Sequence, residues 1–343
     1  MGHSRGGAVS AIEVEALRKV YEDGTVALDG PSFQVAPGEI FGYLGRNGAG
    51  KTTTVRILTT LARPSSGTAT VLGHDVVRER AQVREVVGLS LQQAALDDLM
   101  TGREHLALIA SLRAMRSAAA RDRIDELLTG FGLTDIADRL VATYTVGMRR
   151  RLDAAMALIH RPSVLFLDEP TTGLDPQSRR ALWKLIREYR DDGGTVFLTT
   201  QYLDEADELC DRIAILGNGN LLVVDTPAAL KNGLSGKVLR LWDASAEART
   251  AMAELLGEAA CQSDGTLLRI DLSGQEDRLP EILGNLRDLG IGLESVALAD
   301  PTIEEVFMRL TGESVESDGG LDRQATGVAA IGRTIVNSRG GGS

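Results

Sequence analysis

The chain has 343 residues, of which 43% are hydrophobic, enough to bury the core of one large domain with a smaller one, or of two domains. The formal net charge is −11 and the longest basic run is Arg149 to Arg151, which argues against a sequence-independent nucleic-acid surface. The cysteines, Cys210 and Cys261, form no CxxC pair, so neither a zinc site nor a disulfide framework is expected, and a reducing cytoplasm fits.

The hydropathy pattern predicts a chain that is soluble by itself. No apolar stretch approaches the ~20 residues needed to span a bilayer, and the start of the sequence shows no hydrophobic signal core. Residues 1–10 are expected to be a disordered lead. Any membrane role is therefore expected to come through a partner.

Short strands are predicted at the beginning of the ordered chain, over residues 12–20, 26–28 and 33–35. Turns are predicted between them at Asp23-Gly24 and after them at Pro37-Gly38. These strands predict an antiparallel flap ahead of the first strongly apolar strand.

Residues 45–52 fill the pattern GxxxxGK[ST], between an apolar stretch at 40–44 that predicts a buried strand and a stretch at 52–61 with helical spacing. Glycines let the backbone wrap closely around a polyphosphate, and the free N–H groups at a helix start carry about half a positive charge. Lys51 is expected to reach the β- and γ-phosphates, and the Thr52 hydroxyl to hold Mg²⁺. The alternative, an ordinary glycine-rich turn, is disfavoured by the flanking strand and helix. The residues assigned to nucleotide binding are Gly45, Arg46, Asn47, Gly48, Ala49, Gly50, Lys51, Thr52 and Thr53.

Beyond this helix, strands alternate with helices, which implies a parallel sheet covered by helices. A purely helical stretch interrupts the alternation and predicts a helical insert. Strands are predicted at 68–72, 86–91, 164–167, 195–200, 213–216 and 221–224, and helices at 102–130, from Pro176 to a stop at Gly193-Gly194, and at 204–209.

A second, smaller α/β unit is predicted beyond residue 231, with about 80 residues, enough to fold alone. No catalytic constellation is visible in it. Its strands are predicted at 238–242, 267–272 and 293–298, and its helices at 246–256, 278–289 and 302–310. Residues 313–343 have lost apolar periodicity and are expected to be a disordered tail.

The apolar strand at 164–167 runs into the acidic pair Asp168-Glu169. A P-loop requires a carboxylate at the end of a neighbouring buried strand to hold Mg²⁺, and a base to activate the attacking water. Asp168 is assigned to the metal and Glu169 to the base, a role worth on the order of 10²–10⁴ in rate. In isolation the pair could instead be an acidic strand end that caps the next helix, but the upstream P-loop favours catalysis.

With these motifs in place, residues 11–230 resemble the ATP-binding cassette (ABC) ATPases. Residues 170–176 look like the D-loop of that family, and residues 203–207 match its segment after the switch residue. The resemblance implies an α/β P-loop NTPase fold of the ABC type, with a mixed sheet core, an antiparallel β flap and a helical subdomain at about 95–160. A small C-terminal α/β domain at 231–312 would follow, and ATP and Mg²⁺ are the implied cofactors.

Further site residues follow from the same resemblance. Tyr21 would stack on adenine, unless it is only a half-buried hairpin tyrosine. Gln92, or its neighbour Gln93, would contact Mg²⁺ and report occupancy to a membrane partner. Gln201 stands where the family usually has histidine; it can hydrogen-bond the γ-phosphate but cannot titrate, so Glu169 would act alone as base. The catalytic set is Glu169, Gln201, Asp168 and Lys51, and Asp175 of the D-loop is counted with the nucleotide-binding residues.

The family's signature element, normally LSGGQ, is represented by Tyr144 to Met148. In the family it opens a helix that faces the nucleotide of a second subunit, so Thr145, Val146, Gly147 and Met148 are assigned to cofactor binding. Val146 departs from the pattern, because a β-branched residue stands where glycine is expected and cannot follow a positive φ cheaply. Either this helix start has ordinary dihedrals and tolerates valine, or the composite site is weakened.

The segments 144–153, 201–207 and 301–312 are similar to the ABC ATPases that power daunorubicin/doxorubicin-type drug export. This resemblance implies a homodimer that drives efflux of a hydrophobic drug or lipid-like solute through separate permease subunits, at the cytoplasmic face of the plasma membrane. One alternative is a non-transport ABC ATPase of repair or translation. The short interval between P-loop and signature, without long heptads, and the single P-loop argue against it. Another is an ATP-binding regulator with weakened hydrolysis, suggested by Val146 and Gln201.

Overall fold

The computed structural model describes residues 10–92, 96–233, 237–242, 244–257, 260–264, 267–272, 274–292 and 295–311. Gln93, residues 1–9 of the expected N-terminal lead and the expected tail at 313–343 lie outside this part of the chain. The chain divides into two compact units, Met1–Pro227 and Ala228–Ser343.

The first unit contains eleven strands and seven helices within the described residues. Its strands are β1 (Ile12–Val20), β2 (Val26–Asp29), β3 (Phe33–Val35), β4 (Ile40–Leu44), β5 (Ser66–Val71), β6 (His74–Asp75), β7 (Val87–Ser90), β8 (Val164–Asp168), β9 (Thr195–Thr200), β10 (Arg212–Gly217) and β11 (Asn220–Asp225). Its helices are α1 (Lys51–Leu58), α2 (Arg80–Val86), α3 (Gly102–Leu112), α4 (Ser117–Gly130), α5 (Val146–Ala157), α6 (Pro176–Asp191) and α7 (Leu203–Leu209), and α8 (Pro227–Gly233) follows at the boundary of the units.

Two sheets build this unit. A six-stranded sheet has the order β11-β10-β4-β9-β8-β7, in which every neighbouring pair is parallel except β10 and β11. A five-stranded antiparallel flap is centred on β1, which pairs with β2, β3 and β5, while β6 extends the edge beyond β5. The mixed sheet, the flap and the helical stretch α3 to α5 agree with the fold that the sequence predicts.

An aromatic cluster joins the two sheets and fixes the strands that carry the site. Phe33 of the flap stacks on Phe41 of β4 with ring centroids 5.5 Å apart. Phe197 of β9 lies 5.8 Å from Phe41 and 5.5 Å from Phe166 of β8. All four rings are buried, and aromatic pairs in such offset arrangements add about 0.5–1.5 kcal/mol each beyond their buried area. The packed rings therefore hold β4, β8 and β9 in fixed positions relative to one another.

The second unit differs from the predicted pattern in one strand. It contains β12 (Val238–Leu241), α9 (Ala246–Leu256), β13 (Cys261–Asp264), β14 (Leu267–Asp271), α10 (Leu279–Asp288), β15 (Val296–Ala299) and α11 (Ile303–Thr311). The sheet is antiparallel in the order β13-β14-β12-β15, the βαββαβ arrangement of ferredoxin-like modules, followed by one more helix. The sequence analysis missed β13, because its residues CQSD show no apolar alternation.

Helix α11 is joined to the sheet of this unit by ion pairs. Arg240 of β12 and Arg269 of β14 lie directly opposite each other in the ladder. Arg240 Nε lies 3.2 Å from Glu305 Oε1, and Arg269 Nη2 lies 3.2 Å from Glu304 Oε1. Glu305 is buried, and its side chain also accepts a hydrogen bond from the Thr302 amide at 2.7 Å, which caps the start of α11.

Two further elements of the first unit were not predicted, β6 and α2. Both are short, and in α2 only Val83 is buried, so the sequence carries little apolar periodicity there. None of the described helices combines the length and the apolar character needed to cross a membrane.

Candidate functional site

The P-loop connects the central strand β4 to helix α1. Gly48 and Gly50 have φ angles of +84° and +100°, a conformation that strains any residue with a side chain. At Gly50 a Cβ atom would also lie 2.5 Å from the Ala27 carbonyl oxygen of the flap. The Gly45 amide donates to the Thr200 carbonyl at 3.3 Å, which ties the start of the loop to the end of β9. The loop thus bends back over the start of α1, as phosphate binding requires.

The outer part of the loop is accessible. Arg46, Asn47 and Gly48 are exposed, whereas Gly45, Ala49 and Gly50 are buried. Thr52 and Thr53 are the second and third residues of α1, and Thr52 is half-buried. The exposed backbone and the N-terminal turn of α1 therefore form one continuous surface on which a polyphosphate can lie.

Lys51 is the first residue of α1, and its side chain is 4% exposed. Its ammonium donates to the Gly45 and Arg46 carbonyl oxygens at 2.7 and 3.1 Å. It also lies 3.1 Å from Glu169 Oε1. The structure therefore joins the P-loop to the acidic pair at the end of β8.

Asp168 is the last residue of β8 and is 1% exposed. The Thr199 hydroxyl of β9 donates to Asp168 Oδ1 at 2.6 Å. Asp168 Oδ2 is buried and has no hydrogen-bond partner among the described residues. A buried carboxylate oxygen of this kind fits a cation or a cation-bound water, because an unpaired charge inside a protein is otherwise costly.

Glu169 follows with a φ of +50°, which is rare for a residue with a side chain and marks strain often found at functional sites. Its amide is anchored by the Thr199 carbonyl and hydroxyl oxygens, both at 3.1 Å. Its Oε2 accepts from Gln92 Nε2 at 3.0 Å and from the Thr172 hydroxyl at 3.4 Å. Lys51, Gln92 and Glu169 are thus brought together, three residues far apart in the sequence.

Gln201 directly follows β9. The residue before it, Thr200, receives the hydrogen bond from Gly45, so the backbone at Gln201 lies beside the start of the P-loop. The Thr200 hydroxyl accepts from the Tyr202 amide at 2.9 Å and shapes the turn that presents Gln201. The switch role expected for Gln201 stays a prediction.

Tyr21 lies at a tight turn after β1, closed by hydrogen bonds between Tyr21 and Thr25 at 2.9 Å and between Gly24 and Tyr21 at 3.0 Å. Its hydroxyl is 3.1 Å from the Thr53 hydroxyl of α1, and the residue is 38% exposed. The Lys19 ammonium lies over the ring, 5.2 Å from its centroid. The ring therefore stands near the first turn of α1 with part of its surface open.

The signature residues form the start of α5. The Thr145 hydroxyl accepts from the Met148 amide at 3.2 Å and caps the helix. Val146 is the first helical residue, is 55% exposed and has no positive φ, so its β-branched side chain is accommodated without strain. At Gly147 a Cβ atom would lie 2.9 Å from the Ser178 hydroxyl, so a larger residue would require the Ser178 side chain of α6 to shift.

Asp175 acts within its own chain as the N-cap of α6. Its Oδ1 accepts from the Gln177 and Ser178 amides, both at 3.0 Å. The hydrogen bond from the Ser178 backbone lowers the pKa of the Asp175 carboxyl below its usual range. Asp175 therefore has a structural role here besides the nucleotide contact assigned to it.

Three residues around the site were not singled out from the sequence. Thr199, which supports both Asp168 and the Glu169 amide, looks like an ordinary strand residue. Glu205 of α7 is fully buried, accepts from Trp183 Nε1 at 2.9 Å, and burial raises the pKa of its carboxyl. Asp153 of α5 is 8% exposed and hydrogen-bonded to the Ser90 hydroxyl, and burial raises its pKa to about 6. An acidic residue on the inner face of a helix is the signal that could have indicated the last two.

No group of three or more histidine, cysteine or acidic side chains that could hold a metal occurs in the described part of the chain. Mg²⁺ does not require such a group, since it commonly keeps several waters and takes only one or two protein carboxylates beside substrate phosphates. Asp168 supplies a carboxylate and Thr52 a hydroxyl, both of which are oxygen ligands of the type that Mg²⁺ takes.

Comparison with known proteins gives consistent matches. Residues 28–172 match the ABC transporter family. The chain is 46% identical over 313 residues to the daunorubicin/doxorubicin resistance ATP-binding protein DrrA of Streptomyces peucetius, covering 89% of this chain and 94% of the relative. It is 40% identical over 315 residues to the doxorubicin resistance ATP-binding protein DrrA of Mycobacterium tuberculosis, covering 90% of this chain and 95% of the relative.

A solved structure described as the ATP binding subunit of an ABC transporter resembles the chain with a TM-score of 0.60 and 28% identity. The match covers 65% of this chain and 93% of the other one.

Proposed function

Because the chain belongs to the ATP-binding proteins of ABC transporters, we propose that two copies of it close on two MgATP and drive efflux of a hydrophobic drug or lipid-like solute through separate permease subunits. It is an ATP-hydrolysing subunit homologous to the ATPases of drug-resistance exporters. The fold predicted from the sequence is confirmed by its structural relatives.

The observation that supports this mechanism most directly is the convergence of Lys51, Glu169 and Gln92. Glu169 would take a proton from the attacking water, since its carboxylate lies beside Lys51 of the P-loop, at the end of β8. Lys51, which the P-loop holds at the start of α1, would stabilise the charge on the β- and γ-phosphates. The amide of Gln92 would orient the carboxylate of Glu169.

Mg²⁺ would be held by the Thr52 hydroxyl and, directly or through water, by Asp168 Oδ2 and Gln92. Bound there, the ion would neutralise charge that develops on the phosphate oxygens. Asp168 Oδ2, which is buried and has no hydrogen-bond partner in the described part of the chain, supports this assignment. Gln201 would donate a hydrogen bond to the γ-phosphate. Its amide, unlike the imidazole of histidine, does not gain or lose a proton with pH.

ABC ATPases dimerise and work with membrane permease subunits. For this chain we propose a homodimer, in which Thr145, Gly147 and Met148 at the capped start of α5 would face the nucleotide of the second copy. The backbone N–H groups at this helix start are suited to bind phosphate. Tyr21 would stack on the adenine, and Asp175 would contribute to the shared site through the D-loop.

The location and domain roles follow as parts of the same proposal. The subunit would lie peripherally at the cytoplasmic face of the plasma membrane, bound to its permease. Residues 11–230 would form the nucleotide-binding domain, with a helical subdomain at about 95–160, and residues 231–312 a small C-terminal domain. The relatives named for daunorubicin and doxorubicin resistance support a drug-like solute.

The test is to measure ATP hydrolysis and ATP-dependent solute efflux in membrane vesicles that contain the full chain with its permease. Glu169→Gln should abolish turnover while ATP binding, measured with a fluorescent nucleotide, persists. Turnover at the wild-type rate in Glu169→Gln would overturn the assignment of the base. If the wild-type complex binds ATP but does not hydrolyse it, the chain is instead an ATP-binding regulator.

A further inference from the structure

Helix α5, which begins with the signature residues, also forms hydrogen bonds to the segment that leads to Gln92. Asp153, 8% exposed, accepts a hydrogen bond from the hydroxyl of Ser90, the last residue of β7. One turn earlier on the helix, Arg150 Nη1 donates to the Leu91 carbonyl at 3.2 Å. Two consecutive residues immediately before Gln92 are therefore fastened to α5.

This attachment compensates for the place of β7 in the sheet. β7 is an edge strand, and its ladder is formed with β8 on one side. Ladder pairing ends at Ser90, so the sheet itself holds neither Leu91 nor Gln92. Asp153 contacts Ser90 in the last pair of the ladder, and Arg150 contacts Leu91 just beyond it, where the chain continues to Gln92 and Glu169.

Stability alone does not explain a carboxyl at position 153. Burying a carboxyl group costs free energy that an apolar side chain on the same helix face would not cost. The neighbouring residues on α5, Leu152, Ala154 and Ala155, are buried and apolar, as expected for a helix packed on the sheet. Asp153 is the exception, and its partner is the residue that ends β7.

We propose that Asp153 and Arg150 are positioning residues for ATP hydrolysis, which hold Ser90 and Leu91 so that the Gln92 amide reaches the Glu169 carboxylate. This inference rests on the proposed function, because it takes Glu169 as the base. It also gives a route between the two nucleotides of a dimer. The start of α5 faces the second copy's nucleotide, while its middle fixes Gln92 beside the chain's own.

The first part of the test is a set of single variants of the full chain, assayed with its permease for kcat and for the ATP dissociation constant. Asp153→Ala and Ser90→Ala should each lower kcat about ten-fold, because a small misplacement of a catalytic group is enough for such a loss. ATP affinity should stay within about two-fold, since the P-loop is untouched. The Asp153→Ala/Ser90→Ala double variant should lose no more than either single one, because both remove the same contact.

The decisive readout is the combination with Gln92→Ala. If Asp153 acts through Gln92, adding Asp153→Ala to Gln92→Ala should change kcat less than about two-fold. A further ten-fold loss in that background would overturn the proposal, since it would show an independent, structural effect. Asp153→Asn, unlike Asp153→Ala, keeps an acceptor for the Ser90 hydroxyl and should retain most of the wild-type kcat.

Arg149 provides a matched control for Arg150, because its guanidinium pairs with Asp98 instead and is partly exposed. Arg150→Met should lower kcat several-fold, whereas Arg149→Met should stay within about two-fold of wild type. Equal effects of the two substitutions would contradict the role of Arg150. If circular dichroism shows that Asp153→Ala does not fold, the same kcat measurements are made with Ser90→Ala, alone and combined with Gln92→Ala.

Failure of this inference can be distinguished from failure of the proposed function. A Glu169→Gln variant without turnover, together with an Asp153→Ala variant of wild-type kcat, would overturn the positioning role alone. A Glu169→Gln variant with wild-type turnover would overturn both.

Discussion

The ammonium of Lys51 lies 3.1 Å from the carboxylate of Glu169, and the two side chains are 4% and 6% exposed. Each charge is therefore removed from water and balanced by the other. Removing one partner of a buried pair costs much more than removing both, because a single buried charge remains.

This relationship predicts the stability of Lys51 variants. Lys51→Ala should lower the free energy of unfolding by about 3–5 kcal/mol, the range for breaking a buried ion pair from one side. The Lys51→Ala/Glu169→Gln double variant should recover a large part of that loss, since no uncompensated charge is left. Urea unfolding followed by circular dichroism measures both, and equal stabilities of the single and double variants would contradict the coupling.

The P-loop glycines predict different costs for the same substitution. Gly50→Ala should destabilise strongly and weaken ATP binding, because a Cβ would lie 2.5 Å from the Ala27 carbonyl oxygen in addition to the positive φ. Gly48→Ala is the matched control, with a positive φ but no atom within 4 Å of the added Cβ. It should cost about 1–2 kcal/mol in unfolding free energy. A similar cost at both positions would refute the role of flap contact at Gly50.

Variants of Tyr21 separate adenine stacking from a simple hairpin role. Tyr21→Phe keeps the ring and loses only the hydroxyl contact to Thr53, so ATP affinity should change less than about three-fold. Tyr21→Ala should weaken ATP binding by about ten-fold or more, since a base stacked on an aromatic side chain gains about 1–3 kcal/mol. Titration with a fluorescent ATP analogue measures both, and unchanged affinity in Tyr21→Ala would identify a hairpin tyrosine.

The raised pKa of Asp153 predicts a pH dependence of stability. Burial raises its pKa to about 6 in the folded protein from an ordinary value of 3.8, so the folded state binds the proton more tightly than the unfolded state does. The contribution of this group to stability is therefore present at low pH and is lost as pH rises from about 4 to about 6. As pH rises, the free energy of unfolding of Asp153→Asn should therefore increase by about 3 kcal/mol relative to that of wild type. Roughly half of this increase should fall between pH 5 and pH 8.

The measurement is denaturant unfolding of wild type and Asp153→Asn at several pH values. Only the difference between the two proteins is interpreted, because other carboxyl groups titrate in the same range. A difference independent of pH would show that Asp153 does not carry the proton.

The conformation of Val146 predicts the outcome of restoring glycine in the signature. Because Val146 lies at the first position of α5 with no positive φ, Val146→Gly should leave the ATPase rate within about two-fold and slightly destabilise the helix start. A large gain in turnover would instead show that valine weakens the composite site, as expected for a regulator. Steady-state ATPase assays of the full complex distinguish the two outcomes.

Sequence reasoning located the P-loop and the acidic pair because both are local patterns on buried strands. The strands β4, β8 and β9 were predicted within one residue, since each contains consecutive apolar or β-branched residues, as is typical of a strand buried on both faces. The sequence predicts that the P-loop and the acidic pair meet at one magnesium ion, but it does not predict the direct ion pair between Lys51 and Glu169, because that contact depends on the order of the strands in the sheet. That order is set by the whole core, including Phe33 of the flap, rather than by any one segment.

Asp153 was missed for a related reason. Its partner, Ser90, lies 63 residues earlier, and no periodicity in either segment indicates how α5 is placed on β7. The conformation of Val146 likewise could not be read from the sequence, because β-branching shows which dihedrals are costly but not which ones the fold requires. The polar edge strand β13 was missed because strand prediction depends on apolar alternation, which an exposed edge does not need.

The attachment of α11 has a practical bearing on how the protein can be engineered. Without this helix, Arg240 and Arg269 would remain opposite each other on neighbouring strands and would lose the glutamates that neutralise them. Their mutual repulsion would then destabilise the sheet of the second unit. A truncation should therefore end after Thr311, and an affinity tag or reporter should be fused after that residue, so that Glu304 and Glu305 are retained.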